Sequence, residues 1–89
     1  MLIHQFQFDD VRFSSEAQEH RAVAILTTED QTLCLMASAR LDPTVARDEL
    51  AHEFAADALR QVRRMPEYRR QADEVQIAEG AAMEFAKAS

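Results

Sequence analysis

Hydrophobic and polar positions alternate with a period of two at the start of the chain. Leu2, Phe6 and Phe8 alternate with Ile3, Gln5 and Gln7, which predicts a strand with its aromatic side inward and a wetter side outward. After Asp9 and Asp10 the apolar set moves to odd positions, at Val11 and Phe13, so the acidic pair marks a turn or a bulge. A polar stretch over 14–19 separates this strand from a second one over 21–27, RAVAILT, with Val23, Ile25 and Thr27 on one side. Residues 28–31 are polar and short and predict a hairpin. The third strand, over 32–39, turns Leu33, Leu35 and Ala37 one way and Cys34, Met36 and Ser38 the other. A strand apolar on both sides is expected to lie covered or central.

From residue 43 the period becomes helical. Asp42 and Pro43 have the pattern of a capping side chain followed by a first-turn proline, which predicts a helix over 43–65. On a helical wheel Leu50, Ala51, Phe54, Ala55, Ala58, Leu59, Val62 and Met65 share one half, and His52, Glu53, Asp57, Arg60, Arg63 and Arg64 lie on the other. Acidic residues come early and arginines late, which complements the helix dipole. The Met65-Pro66 step ends the helix. Beyond it, Tyr68, Ala72, Val75, Ala78, Ala82, Phe85 and Ala86 recur at helical spacing and predict a second helix within 67–88. The alternative is a short fourth strand over 74–78, stopped by Gly80. The expected fold is therefore α+β: a three-stranded antiparallel meander packed on one long amphipathic helix, followed by a C-terminal helical element.

With 89 residues, 47% hydrophobic and 29% charged, one Gly and two Pro, the chain reads as one small domain over 1–89 with no linker. A core of this size buries only about 60–65% of the unfolded surface, which makes a second subunit a natural source of further burial. The net charge of -6 and a pI near 4.9 exclude a general polyanion binder and give no cationic surface for nucleic acid or anionic lipid. The start of the chain lacks a basic segment followed by an apolar one, and no run of eighteen apolar residues occurs, so no membrane segment is expected. The one cysteine, Cys34, fits a reducing, cytoplasmic setting. Nine Arg against one Lys, with sixteen Ala, match the codon usage of a GC-rich bacterial genome.

Candidate chemistry is sparse. His52-Glu53 has the opening of a helical zinc-protease motif, but Ala56 stands where the second histidine belongs, and His4 and His20 have no ligand spacing to it. No metal or cofactor is expected. Cys34, between Leu33 and Leu35, reads as a small apolar filler of the sheet, and Ser14-Ser15 lacks a glycine-framed elbow. Asp9-Asp10 and Glu29-Asp30 have no cation-loop spacing and read as turn residues.

Charge segregation is the exception. Arg60, Arg63, Arg64, Arg69 and Arg70 fall within eleven residues, RQVRRMPEYRR, whose only acid is Glu67 and whose aromatic is Tyr68. Guanidinium forks suit phosphates and carboxylates, so these six residues, Tyr68 included, form a candidate anion- or partner-binding corner; a solvated helix end is the simpler account. The function expected from all this is a non-enzymatic protein-interaction module, self-associating as a homodimer or binding another protein. The alternative is a small-ligand or anion binder using the arginine corner 60–70 or a cavity between sheet and helix, with His4, His20 or His52 as its polar groups.

Overall fold

A computed structural model describes residues 1–68 and 74–86. Its elements run β1 (Leu2–Ser14), β2 (Glu19–Thr28), β3 (Thr32–Ala39), α1 (Arg47–Arg64) and β4 (Gln76–Phe85). The four strands form one mixed sheet in the order β3-β2-β1-β4, with α1 on one face. The broad α+β class and the antiparallel meander stand as expected.

The C-terminal element is corrected. Where a second helix was expected over 67–88, β4 lies parallel to β1, and the alternative strand over 74–78 is lengthened to Phe85. The topology supplies the reason. β3 runs parallel to β1 because each is antiparallel to β2, and α1 carries the chain back to the end where both begin. The next segment meets the free edge of β1 in the parallel sense, and pairing there satisfies backbone groups that an isolated helix would leave the sheet lacking. Gly80 does not end this strand. It sits inside it at φ +76°, where β4 carries extra residues between its partners of Ile3 and Gln5.

β1 carries two bulges. Between Ile3 and Gln5 one extra residue turns Ile3 into the core and leaves Leu2 exposed, against the expected inward place of Leu2. Between Asp9 and Arg12 a second shift, with Asp10 at φ 52°, shows the acidic pair to be a bulge. It restores the face, so that Phe13 pairs with His20 on the helix side. Asp tolerates this left-handed backbone better than most residues because its short side chain bonds locally.

α1 begins at Arg47, four residues later than predicted. Ala46 is its N-cap and makes no side-chain capping bond. Asp42 closes a turn of its own instead: the Thr44 amide donates to Asp42 Oδ1 at 2.8 Å, the Thr44 hydroxyl donates to the same oxygen at 2.5 Å, and the Val45 amide donates to the Asp42 carbonyl at 3.0 Å. A turn that takes its bonds from the Asx side chain competes with helix initiation at Pro43. At the other end Met65 has ψ 135°, the extended conformation a following proline enforces.

The buried stripe of α1 is Leu50, Ala51, Phe54, Ala55, Ala58 and Val62. It meets Ala22, Ala24, Ala37 and Ala39 of the sheet, small residues on both sides that let helix and sheet approach closely. Phe6, Phe8 and Phe54, all at 0% exposure, fill the remaining space, with the Phe8 ring 5.4 Å from Phe54 and 5.5 Å from Phe85. Arg47 places its guanidinium 4.7 Å over the Phe85 ring, fastening the start of α1 to the end of β4.

Candidate interaction surface

α1 covers one face of the sheet and no described element covers the other. The contrast is sharpest along β3, where Ala37 is 1% exposed and Met36, beside it, is 50% exposed. Pairing registers assemble the open face row by row. Cys34 pairs with Ile25, and Ile25 with Gln7; Met36 pairs with Val23, and Val23 with Asp9. Directly paired residues share a face, so Val23, Ile25, Cys34 and Met36 form a square of apolar side chains over β2 and β3. Thr27 and Thr32 border it at one end, Arg21 and Ser38 at the other, and Gln5, Gln7 and Asp9 along β1.

This corrects the expected placement of two features. Cys34 is exposed, not an interior filler, and β3 is an edge strand, not a central one. Its second apolar side faces outward. The β-branched side of β2, at Val23, Ile25 and Thr27, is likewise the outer one, while Ala22, Ala24 and Leu26 go into the core.

The outer edge of β3 is blunted by α1. The Ser38 amide donates to Asp57 Oδ2 at 3.0 Å, and Gln61 Nε2 donates to the Met36 carbonyl at 2.6 Å and to Asp57 Oδ2 at 2.9 Å. Arg60 pairs with Asp57 Oδ1 at 3.4 Å. Sequence patterning put Asp57 and Arg60 on the solvent side of the helix; only the position of the strand edge beside them reveals what they bond.

The arginine corner separates into different uses. Arg60 is held by Asp57, and Arg63 donates to the Val75 carbonyl at 2.8 Å, fixing the entry to β4. Tyr68 packs against the core margin, and Arg64 is exposed. Arg69 and Arg70 lie outside the described residues.

The histidines are dispersed. His4 and His52 are exposed, and His20, 6% exposed, sits on the inner face with its ring 4.9 Å from Phe13. His20 Nε2 lies 3.0 Å from the Asp42 carbonyl, and since a carbonyl only accepts, this nitrogen carries the proton. The ring therefore latches the β3–α1 connection. The two Thr44 hydrogen bonds, with a smaller electrostatic contribution from His20, hold the Asp42 carboxyl below its ordinary value of 3.8.

Among the described residues no group of three or more His, Cys, Asp and Glu is arranged to hold a metal ion, and no helix is long and apolar enough to cross a membrane. Compared with protein-family models, curated proteins and solved structures, the chain shows no match, so its function has to be read from these surfaces.

Proposed function

We propose that the protein is a non-enzymatic interaction module that self-associates as a homodimer. The observation carrying this reading is a sheet covered by one helix on one face only, with an apolar square of Val23, Ile25, Cys34 and Met36 at the uncovered surface. A two-layer domain of this size gains from burying such a surface, because apolar area removed from water is worth about 25 cal/mol per Å² and the monomer leaves this area wet. A free, exposed Cys34 also suits a reducing, cytoplasmic setting.

Light scattering on the chromatographic peak of the untagged protein tests the reading. A mass near twice 10.1 kDa supports it. A monomer at every concentration up to the millimolar range overturns self-association and leaves capture of a different protein as the function to pursue.

A further inference from the structure

We infer that the second half of β4 is a strap: residues 81–86 swing away from β1 about Gly80 as one unit, while Gln76 and Ile77 stay paired and the other strands and α1 stay folded. Opening bares the backbone edge of β1 from Gln5 to Phe8 and one side of the Phe8 ring. The motion belongs to the single chain and does not depend on self-association.

β4 is the most weakly buried of the described elements. None of its ten residues is buried, whereas β1, β2, β3 and α1 each bury two or more. Releasing a segment with so few buried apolar contacts costs far less than global unfolding, which also exposes Ile3, Phe6, Leu26, Phe54 and Val62. Local preference opposes the strand as well, since Ala78, Ala82 and Phe85 keep helical spacing and alanine favours helix over strand.

A break in the pairing sets the pivot. Ile77 pairs with Ile3 and Ala82 with Gln5, so residues 78–81 stand opposite His4 alone. Gly80 lies in this break at φ +76°, and a Cβ added there would meet nothing within 4 Å. Wide backbone freedom in open space lets the chain turn at this point without disturbing its neighbours.

The two sides of the break are held differently. On the near side Val75 is fully buried, its carbonyl accepts from Arg63 at 2.8 Å, and the Gln76 amide donates to the Met1 carbonyl at 3.1 Å. On the far side the Phe85 ring lies 5.5 Å from Phe8 and 4.7 Å from the Arg47 guanidinium, and the Ala86 amide donates to the Phe8 carbonyl at 2.9 Å. Arg47 is thus the latch of the strap, gripping it from the start of α1. What the strap governs is a sheet edge. Asp57 and Gln61 cover part of the β3 edge with side-chain bonds, whereas the β1 edge is covered by a strand that opens.

Native-state hydrogen exchange in low urea, followed by NMR on the full chain, tests the strap. The amides of 82–86 that bond β1 should share one opening constant with a small urea dependence, and the Gln76 amide should be at least tenfold better protected after correction for intrinsic rates. A Gln7→Cys/Glu84→Cys pair, at facing positions of β1 and β4, supplies a clamp in a Cys34→Ser background. Oxidised, the clamp should raise the 82–86 amides to the protection of Gln76; reduced, it should release them again, and the reduced spectrum establishes that the variant is folded. Arg47→Ala should raise the opening constant about two- to fivefold. Protection that falls evenly towards Ala86 means fraying from the chain end, and Gln76 exchanging together with 82–86 means that β4 opens whole; either result overturns the pivot at Gly80. Exchange unchanged by oxidation of the clamp overturns the strap, and an unchanged opening constant in Arg47→Ala overturns the latch.

Discussion

Asp57 reaches from the solvent side of α1 to the edge of the sheet, where its Oδ2 accepts the Ser38 amide at 3.0 Å, and the same oxygen accepts a hydrogen from Gln61. One helix thus does two things: its apolar stripe covers the core and its polar flank closes part of an edge that would otherwise template another strand. Replacing Asp57 by Ala should cost about 1 kcal/mol, because water partly replaces the lost acceptor at an edge. The Asp57→Ala/Gln61→Ala double variant should also aggregate on heating faster than wild type, measured by light scattering. Unchanged melting and unchanged aggregation would show that the edge needs no such cover.

Arg63 and Arg64 are neighbours with different duties. Arg63→Ala removes the 2.8 Å bond to the Val75 carbonyl and should destabilise by about 1 kcal/mol in urea unfolding. Arg64→Ala should stay within about 0.5 kcal/mol of wild type, as an exposed substitution with no bond to lose among the described residues. Equal effects of the two would refute this division of the corner.

Asp42 gives stability a dependence on acid. Its folded carboxyl titrates below 3.8, so its contribution is fully present above about pH 4 and is lost as pH falls from there through the folded value. Carboxyl titration by NMR should place Asp42 under 3.8. The stability difference between wild type and Asp42→Asn should be constant from pH 7 to 5 and shrink below pH 4. A difference that grows on acidification would contradict the Thr44 hydrogen bonds as its source.

Gly80 occupies the left-handed region in the middle of β4, at φ +76°, and a Cβ added there would meet nothing within 4 Å. The cost of Gly80→Ala is then backbone strain alone, about 1–2 kcal/mol. Gly80→Asn should cost less. If alanine is tolerated without loss, β4 can straighten at this point.

Sequence patterning by itself determined the meander and the buried stripe of α1. β3 has the bounds expected from alternation alone, and Leu50, Phe54, Ala58 and Val62 are buried as their helical spacing requires. These features are local: one side-chain period and one proline define them. Tertiary structure decided the rest. The alanine-rich segment after Val75 carries a helical spacing as good as its strand pattern, and pairing with β1, more than seventy residues away in sequence, settles it as β4. Apolar character on both sides of β3 predicted a covered or central strand, but strand order placed it at an edge, because the return of the chain through α1 put the fourth strand beside β1. Cys34 and Met36 are exposed because α1 packs on the opposite face of β3. The candidate surface was therefore present in the sequence as an apolar face, and only the packing of α1 on the opposite face, a non-local outcome, determined that this face looks outward.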